Sequence, residues 1–196
     1  TILAYWIVVV LGIGAAISGP KVDMVLSRIN DAFLSLPTIM LGLVVVAALG
    51  SSIPLLICTA GVIYATVSFR LAWALAQGIL VLDWVEAATV FGEGRWWIIT
   101  RELWPNAAMP LMTDFGLRLI YVILFISSLS FLGLGVQPPQ ADWGSMVREN
   151  LGALQYGVSI IPVIAPALSI ATLTVAINLV VDDVSAHSGG KLSKRL

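Results

Sequence analysis

Apolar positions along this chain gather in five long blocks, separated by shorter stretches that hold most of its charges. The blocks cover residues 2–17, closed by Gly19 and Pro20, then about 33–49, 53 to about 76, 109–132 and 160–181. A hydrocarbon core roughly 30 Å thick needs about 20 helical residues to cross it. The fourth and fifth blocks meet that length, and the first falls short. Helix is the form such blocks must take, because lipid offers no water to exposed backbone polar groups. Pro37, Pro162 and Pro166 are expected to distort their helices by removing hydrogen bonds. Thr1 stands directly inside an apolar run, with no Met, basic segment or cleavage site before it, so the first block reads as the continuation of something earlier.

Composition agrees with lipid as the solvent. Hydrophobic residues make up 59% of the 196 positions and charged residues only 11%, where a soluble domain carries about 25% charge. Mean hydropathy is +1.01. The net charge of −1 gives no reason to expect a nucleic-acid partner. Cys58 stands alone and forms no internal disulfide, and His187 stands alone and forms no histidine cluster. Orientation follows from Lys and Arg. With five spans, one side receives Lys21, Arg28, Arg95, Arg101, Lys191, Lys194 and Arg195, with Arg70 at its edge; the other receives Arg148. The first side, with the loop 77–108 and the C-terminal tail 187–196, is therefore expected to be cytoplasmic. The membrane domain is expected to cover residues 1–186.

The loop 77–108 carries a helix–turn–helix pattern. Leu80, Trp84, Ala87 and Phe91 recur at helical spacing, as do Val81, Val85 and Ala88, giving one apolar face. Asp83 and Glu86 fall away from it at the spacing of a capping box. Gly92 and Gly94 are placed to break the helix, glycine being free to adopt positive φ. A second short helix is expected over residues 95–104, stopped by Pro105 before the fourth span. Such a helix either rests on the bilayer surface or docks into a groove on a soluble partner.

Within the spans, Asp114 and Arg118 share one helix face four residues apart. Charges at membrane depth are costly and usually paired, so they read either as a pathway or gate pair or as a structural salt bridge. Ser127, Ser128, Ser130 and Asn178 either line a polar pathway or permit tight helix packing. Trp143 and Tyr156, in the other polar loop, suit an anchor at headgroup level.

Several of these residues together resemble a known family. Glu86-Ala87-Ala88, three further residues and Gly92, with Pro105 thirteen positions on, resemble the EAA loop of bacterial ABC-importer permeases. The run from Leu129 through Gly133, Gly135, Pro138 and Pro139 to Trp143-Gly144 is similar to the dipeptide, oligopeptide and nickel branch. So is the run Asp31-Ala32-Phe33-Leu34-Ser35-Leu36-Pro37. The chain departs from the pattern at Glu102 and Trp104, where the EAA loop prefers Ile and Leu, at Val181, where glycine is usual, and in the tail.

The resemblance implies an all-α polytopic membrane protein, the transmembrane domain of a type I importer, with five spanning helices here and the family's first one lacking. It implies a translocation pathway for peptides or related small solutes in the bacterial inner membrane, and a non-catalytic subunit. The implied partners are a second, different permease, two cytoplasmic ATPases that hold ATP and Mg, and a substrate-binding protein outside. Asp83, Glu86, Ala87, Ala88, Phe91 and Gly92 would form the ATPase-coupling element. Asp114, Arg118, Ser127, Ser130 and Asn178 would belong to the pathway or gate. The chain itself has no phosphate-binding loop: Gly189-Gly190-Lys191-Leu192 lacks the hydroxyl residue and the first glycine. The competing reading is a stand-alone channel or ion-coupled secondary transporter, which predicts inverted repeats and broken midplane helices.

Overall fold

Proline and glycine set the ends of most helices in this chain. The computed structural model describes residues 1–157 and 159–192, so Lys194 and Arg195 of the expected tail lie outside the described residues. Helix α1 covers Ile2–Ser18, with a π-helical turn at Val9–Ile13. Gly19, at φ 99°, ends it, and Pro20 opens α2, Pro20–Leu34, at a helical position where a missing N–H costs nothing. Helix α3 is Thr38–Leu49 and α4 is Ile53–Leu80, with Pro54 in its first turn. A short α5, Asp83–Val90, precedes the longest span, α6, Arg95–Phe131. Helix α7 is Trp143–Gln155, and α8, Ile161–Leu192, continues through the boundary expected at residue 186. Among the described residues there is no strand.

The second expected span is not one helix. Phe33 and Leu34 finish α2, and α3 leaves it at 85°. Pro37 is the cause, because its ring forbids the helical region to Leu36 before it. The Ser35 amide bonds to the Asp31 carbonyl and its hydroxyl to the Ala32 carbonyl at 2.7 Å, which closes the end of α2. The stretch 18–32, between the first two apolar blocks, is thus mostly helix. The expected stop at Pro105 is also corrected: α6 runs through it unbroken. A π-helical turn at Ile98–Leu103 precedes the ring and widens the backbone, and such bulges absorb what would otherwise break a helix. Pro162 lies in the first turn of α8, where no helical hydrogen bond is lost.

The spans α4, α6 and α8 are each long and apolar enough to cross a membrane, and the bent pair α2–α3 meets the test as one unit. Helix α4 is central, with 56% of its apolar window buried against neighbours, while α8 has 6%. Small residues let α1 approach α4: a Cβ on Gly61 would lie 2.7 Å from Leu3, and one on Gly12 would lie 3.0 Å from Ala72. Without a hydrophobic drive between helices in lipid, close packing of this kind is what holds them together. Val8, Val46, Leu56, Ala72, Phe125 and Leu129 form the packed interior, where Tyr64 meets Phe125 edge to face. Between α6 and α8, Val181 fills the notch left by Gly116, which has no room for a methyl group. Thr113 and Ser185 hydroxyls meet nearby at 2.8 Å. The residue that departs from the family pattern is therefore seated in a glycine recess on the facing helix.

Candidate functional site

Helix α5 sits between α4 and α6 at the end of the bundle that carries Lys21, Arg28 and Arg95. Its start differs from the capping box expected of Asp83 and Glu86. Leu82 is the N-cap, in extended conformation, and its carbonyl accepts the amides of Val85 at 2.9 Å and Glu86 at 3.1 Å; no side chain caps the helix. Asp83 is already the first helical residue, so its carboxylate and that of Glu86 act on the helix start through the field of its dipole.

The other end is a Schellman turn. The Glu93 amide donates to the Ala88 carbonyl at 3.1 Å and the Gly92 amide to Thr89 at 3.0 Å, with Gly92 at φ 88°. That bond pattern requires the left-handed conformation glycine supplies.

The face pattern is also corrected. Val85 alone of the expected apolar set on α5 is fully buried, packed in the core with Ile98 and Leu103. Ala88 is half-buried, and Asp83, Glu86 and Ala87 are exposed. Trp84 is 52% exposed and Phe91 86%, with Val81 and Val90 equally open. The helix is thus pinned by one valine and turns two large aromatics outward. Leu80, expected on the same face, belongs to α4, because the chain breaks at Val81 and Leu82.

The buried charges form a closed group. Arg118 Nη2 lies 2.8 Å from Asp114 Oδ1, with side-chain exposures of 16% and 7%. Ser68 Oγ, from α4, donates to Asp114 Oδ2 at 2.7 Å and accepts from Arg118 Nε at 3.0 Å. The Tyr5 hydroxyl, from α1, reaches Asp114 Oδ2 at 2.7 Å and the Leu111 carbonyl at 2.8 Å; its single proton serves one of them at a time. The Arg118 guanidinium also lies over the Tyr121 ring at 5.7 Å. Three helices are tied through one ion pair whose hydrogen-bonding capacity is largely used within the bundle, the condition under which a buried pair is tolerated. Sequence reasoning found the pair but missed Tyr5 and Ser68. Neither has a local signal, being 109 and 46 residues from Asp114.

The remaining candidates separate. Ser130 is buried, and its hydroxyl accepts the Val136 amide at 3.3 Å, fixing the turn after α6. Ser127 is half-buried and lines an open groove of about 540 Å³ between α6, α7 and α8 with Ser128, Phe131 and Thr174. A Cβ on Gly144 would collide with the Ser127 carbonyl, so α7 packs directly on α6 there. Helix α7 is started by Asp142, whose Oδ1 accepts the amides of Gly144 at 2.8 Å and Ser145 at 3.2 Å. Asn178 is exposed on α8 beside a second groove, of about 280 Å³, shared with Tyr121. The structure does not bring Ser127, Ser130 and Asn178 together with the Asp114–Arg118 pair.

Residues 8–188 match the family described as the binding-protein-dependent transport system inner membrane component. The chain is 33% identical over 140 residues to a probable D,D-dipeptide transport system permease protein of Escherichia coli, covering 71% of this chain and 47% of that one. It is 30% identical over 177 residues to a di/tripeptide transport system permease protein of Pseudomonas aeruginosa, covering 89% and 57%. A glutathione transport system permease protein of Pectobacterium atrosepticum is 30% identical over 160 residues, covering 82% and 52%. The chain spans about half the length of the curated relatives it matches.

Proposed function

Because the chain belongs to the family of binding-protein-dependent transport system inner membrane components, we propose that it is a permease subunit of an ATP-driven importer for peptides or related small solutes. The observation that carries this reading is α5: a short helix anchored by Val85, with Trp84 and Phe91 exposed, leading straight into the 37-residue helix α6. Exposed aromatics on a rigid element suit a docking surface, where they supply the largest contact energies. Its partner would be a cytoplasmic ATPase, which holds ATP and Mg; this chain binds neither.

In this reading the end carrying Lys21, Arg28 and Arg95, together with the C-terminus, faces the cytoplasm, in line with the positive-inside bias. Two ATPases serve the pair formed with a second, different permease chain, and a substrate-binding protein delivers cargo at the opposite face. Nucleotide binding moves the ATPases, α5 follows with its exposed face of Asp83, Glu86, Ala87 and Phe91, and Gly92 fixes the angle at which that face is presented. Half-buried Ala88 backs the helix from beneath. Because α6 is continuous from Arg95 to Phe131, displacement of α5 is delivered into the membrane as movement of a packed element. Asp114 and Arg118 keep α1 and α4 attached to α6 during that movement. Ser127 and Asn178 border the grooves on the α8 side and are the pathway candidates, while Ser130 shapes the outer turn.

The test is association and transport with and without residues 83–94. The purified permease pair should bring down its ATPases, and removal of 83–94 should abolish this while the membrane bundle stays folded. Solute uptake into vesicles by the permease pair alone, with no nucleotide-hydrolysing partner, overturns the reading.

A further inference from the structure

Between α1, α2 and α4 lies an apolar groove of about 160 Å³. Ile7, Val8, Leu11, Phe33, Val62 and Phe69 line it. An apolar space of about 150 Å³ accepts a benzene-sized group, so this one takes several methylenes of a chain. Its mouth is open: Leu11 is 40% exposed, Ile29 52% and Val62 43%.

Two polar side chains border the groove. The Thr66 hydroxyl is committed to the Ile63 carbonyl at 2.6 Å. Asn30 is only 5% exposed, and its Nδ2 has no hydrogen-bond partner. Leaving a buried amide donor unsatisfied costs about 1–3 kcal/mol. Water is a poor remedy, because an ordered water needs two to four polar partners and the remaining wall is hydrocarbon. What the site lacks is one acceptor attached to an apolar tail.

Its surroundings specify which tail. Helix α2 lies across α4, held by the Asp31–Arg70 ion pair and by Trp73 Nε1 donating to Asp23 Oδ1 at 2.7 Å. It exposes Val22, Met24, Val25 and Ile29 together with the cations Lys21 and Arg28, whose long side chains can reach from an apolar surface to water. Asn30 stands one residue along α2 from Asp31, and Thr66 one turn along α4 from Arg70, so the amide lies just beneath this half-exposed ion pair, the level at which lipid ester groups meet a charged boundary.

We propose that the groove between α1, α2 and α4 holds one acyl chain of a phospholipid, whose ester carbonyl accepts a hydrogen bond from Asn30 Nδ2. The bound chain fills the space that α2 leaves against α4 and satisfies the buried amide.

The experiment uses the complete transporter in phosphatidylethanolamine vesicles containing phosphatidylglycerol with a photoreactive diazirine on one acyl chain, close to its carbonyl. After illumination, peptides are mapped by mass spectrometry. Label on Leu11, Phe33 and Phe69 should exceed label on the exposed α8 residues Leu168 and Val175 by about tenfold, equivalent to about 1.4 kcal/mol. Asn30→Leu should lower groove labelling about fivefold through loss of one neutral hydrogen bond. Val62→Trp, which fills the mouth, should bring it to the α8 level. Both variants are checked for unchanged thermal unfolding in detergent. Equal labelling of groove and α8 overturns the proposal, as does groove labelling that Asn30→Leu leaves unchanged. Protein–protein cross-links from Phe33 in place of lipid label also overturn it, because another helix then fills the groove. None of these outcomes bears on ATPase association, so the transport reading stands or falls separately.

Discussion

Replacing Asp114 by Leu should destabilise the bundle far more than replacing the whole ion pair. The carboxylate is 7% exposed and holds three groups at once: Arg118, Ser68 and Tyr5. Without it the Arg118 guanidinium, 16% exposed, stays at membrane depth with the Ser68 hydroxyl and the Tyr121 ring as company. Breaking a buried pair by removing one partner costs about 3–5 kcal/mol, whereas exchanging both partners for apolar residues is often neutral. For a chain of this length each kcal/mol moves Tm by about 2–4 °C, so Asp114→Leu should lower Tm by about 6–20 °C. Arg118→Met should do the same from the other side. The double variant should recover most of the loss, so that it falls short of the sum of the two single losses by about 6–10 kcal/mol. The assay is thermal unfolding of the purified transporter in detergent, followed by tryptophan fluorescence. If the two single losses simply add in the double variant, or if either stays within about 2 °C of the parent, the ion pair is not the tie between α1, α4 and α6 inferred above.

Two further outcomes follow from local geometry. Gly116→Ala places a methyl group inside Val181 and should cost about 1–3 kcal/mol by overpacking; adding Val181→Ala should restore Tm, and failure to do so would show that α6 and α8 are not in register here. Trp84→Ala and Phe91→Ala, at 52% and 86% exposed, should leave Tm unchanged. Each should weaken binding of the purified ATPase about 30-fold, the effect of losing about 2 kcal/mol at an interface centre, and unchanged affinity would refute docking through α5.

Much of the fold was legible because lipid makes one demand, long apolar helices, and α4, α6 and α8 meet it in the sequence. Boundaries at proline were not, because the same residue does opposite things. Pro37 breaks its segment, since nothing upstream relieves the constraint on Leu36. Pro105 passes within α6, since the π-helical turn before it makes room. That turn has no residue signature, and the two residues at its ends, Ile98 and Leu103, are both buried. On α5, spacing identified a helix with one greasy side but not which side the bundle would use. Val85 went inward and Trp84 outward because of where α4 and α6 stand. Asp114 and Arg118 were visible as neighbours on one turn, whereas Tyr5 and Ser68 joined them only through packing of distant segments.

The position of Asp114 along α6 has a mechanical consequence. At 1.5 Å per residue, Arg95 lies about 28 Å from Asp114 and Phe131 about 26 Å beyond it. The ion pair that ties this rod to α1 and α4 is therefore close to its midpoint, like the pin of a seesaw. A tilt about that pin sends the two tips through nearly equal distances in opposite directions. An inward swing at the Arg95 end thus becomes an outward swing of similar size at the far end.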